Sequence, residues 1–281
     1  MDLIHASIPV VSVTNDKPTA LMFLQEPDTN PYDLQFQVFG FPIRVSWTFW
    51  VAAIVIGYDL AMGLDIYLGE QSLGVLTLLA IWGICILISI TIHELGHALA
   101  FRKYGIESRI VLYFMGGMAI PTRSVGVREG LEPKQAMWVA IAGPMAQLAS
   151  AIALVLLISA ASYASPVPWP LNQLKLFEKM ADGRPIDSVG LLAVAMMYIR
   201  PSIYWAILNL IPVWPLDGGR FIQALIQLFG GTVLTAMKVG VAASALVAVF
   251  AFQNKQEFLA FMFLILGWNN FQAWKQLEQR Y

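Results

Sequence analysis

The sequence predicts an all-α polytopic membrane protein of about six transmembrane helices, with a small β-hairpin between the second and third. Three observations predict it. Of 281 residues, 58% are hydrophobic and only 12% charged, and the mean hydropathy is +0.66, a balance foreign to soluble domains. Several stretches run uncharged for the roughly 20 residues that span a bilayer's hydrocarbon core. Within the most basic loop, two β-rich runs flank Gly116-Gly117, a hairpin signal between apolar strand formers.

In chain order, residues 1–42 are polar and mixed, with Glu26-Pro27-Asp28-Thr29-Asn30-Pro31 reading as turn or irregular chain. They form a polar N-terminal tail ahead of a membrane-embedded domain, 43–281. Asp2, His5 and Asn15 interrupt any apolar run near the start, so the expectation is no signal peptide and insertion directed by the first span. The spans run from about Ser46 to Leu64, Leu73 to Ile92, Gln135 to Ala164, Val189 to Leu210, Thr232 to Phe252 and Phe258 to Trp274. The fourth is irregular: Arg200-Pro201 interrupts it, and Pro212 and Pro215 follow closely. Irregular backbone at membrane depth is tolerated only where it is buried in protein or lines a cavity. That stretch is therefore the place to look for a functional site.

Lys and Arg remain cytoplasmic, and Arg102, Lys103, Arg109, Arg123, Arg128 and Lys134 crowd the connection between the second and third spans, whereas Asp65 to Gln71 has none. The basic loop is assigned to the cytoplasm, although Lys175, Lys179 and Arg184 then fall outside. A net charge of −1, with no interleaving of basic and aromatic residues, excludes a nucleic-acid partner. The single Cys85 can form no intrachain disulfide and reads as a small core residue.

The chemistry sits near the end of the second span, in His93-Glu94-Leu95-Gly96-His97. Four residues turn a helix by about 400°, so both imidazoles leave one face about a turn apart. That spacing suits two neutral ring nitrogens on one Zn²⁺. Glu94, beside the first ligand, is the candidate general base for a bound water. Of three histidines in the chain, two form this pair inside a span, where ionisable groups are costly and functional by default. A chance match in an apolar helix gives Glu94 no structural purpose.

A catalytic zinc keeps three protein ligands and one open position. The run Asn209-Leu-Ile-Pro212-Val-Trp-Pro215-Leu-Asp217-Gly218-Gly219 offers the third donor: its prolines break the helix, its glycines permit close approach, and Asp217 stands between them. The bland alternative makes Asp217 a helix cap only, and one residue can serve both purposes. If the second and fourth spans run the same way, His93, His97 and Asp217 reach a similar depth toward the cytoplasmic face, where water can enter.

These paired motifs, in this order on apolar spans, resemble the site-2 protease family of intramembrane zinc metalloproteases, from about Ile43 to Phe229. The resemblance implies one Zn²⁺ per chain held by His93, His97 and Asp217, with Glu94 activating water and Asn209 holding substrate or stabilising the oxyanion. Leu112 to Ile120, with Gly116 and Gly117, resembles the family's Gly-rich hairpin, whose edge can pair with an unwound substrate strand. Ala142-Gly143-Pro144-Met-Ala-Gln147 resembles a Gly-Pro motif that commonly carries Asn where this chain has Gln147, another expected substrate contact. The short Ser165 to Ser188 connection and the short run after Trp274 predict a compact form without PDZ or CBS domains. Substrate control then falls to a regulatory membrane partner, the tail or the substrate.

The activity implied is endoproteolysis of transmembrane proteins in the lipid bilayer. Prenyl-protein endopeptidases of membranes also place His-Glu-x-x-His on a span but take a downstream Glu as ligand, and here Glu107, Glu129 and Glu132 lie in the basic loop. The alternative of another class is a catalytically inactive membrane protein that binds transmembrane helices or metal.

Overall fold

The computed structural model describes residues 26–124 and 130–279. It begins with a hairpin, β1 (Leu34–Val38) and β2 (Phe41–Val45), and continues through helix α1 (Trp47–Leu68), a short 3-10 turn and the 29-residue helix α2 (Val75–Lys103). Strands β3 (Ile106–Tyr113) and β4 (Gly116–Ser124) follow. Six further α-helices follow among the described residues: α3 (Pro133–Ala160), α4 (Lys175–Ala181), α5 (Val189–Asn209), α6 (Asp217–Leu228), α7 (Val233–Gln253) and α8 (Glu257–Glu278).

Among the described residues, five segments are long and apolar enough to cross a membrane: Trp47–Gln71, Val75–Lys103, Pro133–Ala160, Val189–Asn209 and Val233–Gln253. The sixth expected span, Phe258 to Trp274, does fold as a helix. It falls outside these five because its second half carries Asn269, Asn270, Gln272 and Lys275. It pairs with α7 in an antiparallel hairpin, where Gly240 faces Asn270 and Gly267 faces Ser244.

The tail expected over 1–42 needs correction where it is described. Phe39 and Gly40 both take positive φ (52° and 80°) and Val38 pairs with Phe41, a two-residue turn whose twist suits antiparallel strands. The boundary drawn at 43 thus cuts through β2, while residues 1–25 lie outside the described residues. The second hairpin also differs from expectation: Tyr113 pairs with Gly116, so Phe114 and Met115 make the turn and the two glycines belong to β4.

The two hairpins join into one sheet of order β1-β2-β3-β4 through a parallel pairing of β2 with β3. A parallel pair needs a long crossover, and here α1 and α2 supply it. The ladder runs on into α1, because Ser46 N–H donates to the Leu112 carbonyl at 2.8 Å while the Ser46 side chain caps the helix. Phe41, Ile43 and Val45 from β2, with Ile110 and Leu112 from β3, are buried in the same cluster as Leu95 and Ala98 of α2. The sheet therefore packs on the end of α2 that carries the histidines.

Close approach of helices fixes α2 among its neighbours. Gly57 leaves room for the Trp82 ring, whose Nε1–H donates to the Ala53 carbonyl at 2.7 Å, locking α1 to α2. Gly96 lies against the Ala142 carbonyl of α3, the small-residue contact by which apolar helices reach van der Waals distance without a hydrophobic driving force.

Candidate metal centre

His93, Glu94 and His97 occupy the last third of α2 and are all buried. Asp217 arrives from the far side: α5 ends at Asn209, a tight segment turns at Val213 to Leu216, and Asp217 opens α6. Gly218 and Gly219 are required there, since a side chain on either would strike the backbone at Leu210, Ile211, Val213 and Trp214. The break at Pro212 and Pro215 thus folds the chain onto itself and presents Asp217, itself buried, to α2.

The three expected ligands meet. Asp217 Oδ2 lies 3.0 Å from His93 Nε2 and 3.2 Å from His97 Nε2, and the two Nε2 atoms are 3.2 Å apart. Donors at about 2.0–2.1 Å from one tetrahedral ion stand about 3.3 Å from one another, so the triangle matches one face of such a site.

The surroundings say which atoms are available. His97 Nδ1 lies 2.7 Å from the Val139 carbonyl, which can only accept, so Nδ1 carries the proton and Nε2 keeps a lone pair. His93 Nδ1 lies 3.0 Å from Gln147 Oε1, with the same result. Two lone pairs and a carboxylate oxygen converging in a buried space repel unless a cation lies between them. The donor set, two imidazoles and one carboxylate, fits a metal ion that accepts mixed nitrogen and oxygen ligands.

The remaining expected residues divide. Gly117 lies against Glu94, where any side chain would press on the carboxylate, so the second hairpin does reach the site. Gly116 lies one step away, beside the Trp205 ring. Gln147 is fully buried, its amide spent on His93 and on Ser89. Asn209, half-buried, donates its amide to the Trp205 carbonyl at 3.0 Å, a contact within its own helix. Beside the β3–β4 turn, an apolar cavity of about 220 Å³ opens between α1, α2 and α5, lined among others by Phe49, Ile86, Tyr113 and Trp205.

Two neighbours of the site were not expected to touch it. The Val139 carbonyl is backbone and has no mark in the sequence. Gly143 faces the His97 ring so closely that a side chain would overlap it, and the glycine of a Gly-Pro step in an apolar helix was the available clue. Arg200, unexplained from the sequence, is an exposed residue in mid-α5.

Comparison with known proteins points the same way. The profile of Peptidase family M50 matches residues 82–253. The protein sll0528 of Synechocystis is 31% identical over 213 residues, 72% of this chain and 47% of that one. Zinc metalloprotease MJ0392 of Methanocaldococcus jannaschii is 27% identical over 194 residues, 68% of this chain and 44% of its own. The chain spans about half the length of these curated relatives. Among solved structures, the Site-2 Protease from Methanocaldococcus jannaschii is similar with a TM-score of 0.48 and 22% identity, over 86% of this chain and 95% of that chain. A match reaching from 82 to 253 of 281 residues places the chain in peptidase family M50, as an integral, multi-pass membrane protein.

Proposed function

We propose that this chain is a zinc endopeptidase that hydrolyses peptide bonds of transmembrane proteins, as in regulated intramembrane proteolysis. The observation that carries the reading is the convergence of His93 Nε2, His97 Nε2 and Asp217 Oδ2 within 3.2 Å of one another, with the Glu94 carboxylate adjacent in sequence and buried. Zinc held by these three residues supplies a water of lowered pKa and a Lewis acid for the scissile carbonyl.

The chain's own residues do the rest. Glu94 takes the proton of the attacking water and passes it to the leaving amine. Gly117, bare against that carboxylate, holds it in place from β4. Among the described residues β4 is an edge strand, suited to pairing with an extended substrate segment; a helical substrate hides its carbonyls in hydrogen bonds and must unwind first. The apolar cavity beside Gly116 accepts an apolar substrate side chain. Arg102, Lys103, Arg109 and Lys134 around the second hairpin support a cytoplasmic position for this end of α2, where water is supplied.

The test is cleavage of a tethered transmembrane substrate by purified protein in lipid vesicles. Wild type is expected to cut and Glu94→Gln, folded and zinc-loaded, is not. Equal cleavage by the two would remove Glu94 from the mechanism, and no cleavage by either would favour a helix-binding or metal-binding protein.

A further inference from the structure

The two imidazoles of the metal centre are oriented by different kinds of partner. The Val139 carbonyl facing His97 is backbone and can only accept. Gln147, facing His93, can present either end of its amide: the oxygen accepts the Nδ1 proton and leaves Nε2 bare, whereas the NH₂ group would demand the lone pair of Nδ1 and send the proton to Nε2, away from a ligand's role. Something must decide which end Gln147 shows.

The deciding contacts form a chain that reaches α5. Ser202 donates its hydroxyl proton to the Tyr198 carbonyl at 2.6 Å. Its oxygen, 2.7 Å from Ser89 Oγ, is then left to accept from Ser89. With that proton committed, Ser89 Oγ accepts from Gln147 Nε2 at 2.8 Å. The Gln147 oxygen is thereby turned to His93 Nδ1 at 3.0 Å. All four side chains are buried, at 0% exposure for Ser202, 1% for Ser89, 0% for Gln147 and 3% for His93, so no water competes for these protons. The direction is set at one end by a carbonyl, which has no proton to give.

We infer that Ser202, Ser89 and Gln147 form a directional hydrogen-bond relay across α5, α2 and α3 that fixes Nε2 as the metal-binding atom of His93. They are positioning residues: none touches the ion, and each acts through the next. The inference rests on the metal reading proposed above. Outer hydrogen bonds of this kind typically change metal affinity by about 10–100-fold.

Zinc affinity of purified protein in detergent, measured by competition with a chromophoric chelator, tests the relay without reference to activity. Ser202→Ala and Ser89→Ala, on different helices, are each expected to weaken binding about tenfold or more. Ser150→Ala serves as control. Ser150 bonds the Gln147 carbonyl and the Tyr198 hydroxyl but stands outside the relay, and its loss leaves affinity within about twofold. Gln147→Glu supplies an acceptor with no wrong end, so adding Ser202→Ala to it is expected to cost little further affinity, whereas a purely structural loss would carry over in full. Tight binding by wild type that Ser202→Ala and Ser89→Ala leave unchanged overturns the relay alone. Failure of wild type to take up zinc overturns the metal reading and the relay with it.

Discussion

Gly117 lies with its bare Cα against the carboxylate of Glu94, so close that a methyl group built there stands 2.5 Å from Oε1. A strand of the second hairpin thus forms one wall around the proposed general base. Gly117→Ala is expected to displace the carboxylate and lower proteolysis by about 100-fold, the usual effect of an ångström of misplacement, while zinc content stays at one per chain. Unchanged turnover in a cleavage assay would mean that the carboxylate is not held by this contact.

Removal of the base itself has a different signature. Glu94→Gln is expected to bind zinc like wild type and lose about 10²–10⁴ in rate. Metal analysis alongside single-turnover cleavage separates this outcome from a variant that has merely lost its ion.

Asp217→Ala takes away one corner of the triangle and leaves two imidazoles with no carboxylate. Zinc is expected to be lost during dialysis that wild type survives. Chelation of wild type should abolish cleavage, with recovery on readdition of zinc; cleavage persisting in metal-free protein would dismiss zinc from the chemistry.

Gly96 meets the Ala142 carbonyl of α3, and a side chain there would also crowd Ala146. Gly96→Ala is expected to part α2 from α3 and destabilise the protein by about 1–3 kcal/mol, read as a lowered melting midpoint in detergent. A midpoint equal to wild type would show that the two helices have slack.

Arg44 ties the start of the described chain to β2. Its guanidinium donates to Glu26 Oε1 at 2.9 Å and Asp33 Oδ2 at 2.8 Å, and also to the Pro27 and Asp28 carbonyls. Burial pushes the Asp33 carboxyl up, but hydrogen bonds from Arg44 and from the N–H groups of Asn30 and Trp47 outweigh it and hold the group below its ordinary 3.8. Its contribution to stability is complete above 3.8 and is lost as the pH falls through the lowered folded value. Arg44→Met is expected to melt earlier at neutral pH and to show a shallower loss in acid. Parallel pH curves for the two proteins would contradict this.

The proposed metal ligands were legible because their signals are local. His93 and His97 are spaced for one helix face, and the prolines and glycines around Asp217 announce a break in an apolar run. Ser89 lies one turn before His93 on that same face, yet its purpose depends on Ser202 in a helix more than a hundred residues away, which no local pattern reveals. The first hairpin escaped notice because its strands have five residues each, too few for alternation to stand out, and because Phe39 occupies a positive-φ position usually given to Asn, Asp or Gly. Gly116-Gly117 suggested a turn for the opposite reason. Glycine there closes the turn at Gly116, which takes a φ of 112°, and serves the approach of Glu94 and Trp205. The polar residues in the second half of α8 lower its mean hydropathy below that of the other long helices, a difference that length alone hides.

The parallel pairing of Ile43 to Val45 with Ile110 to Leu112 makes the first hairpin part of the same hydrogen-bonded sheet that walls Glu94. From Leu34 the ladder runs through β1 and β2, sideways to β3, and on to β4, whose Gly117 lies on Glu94. A change in the first hairpin is therefore expected to reach the wall around Glu94 through the ladder, without touching the three side chains that converge from α2 and α6.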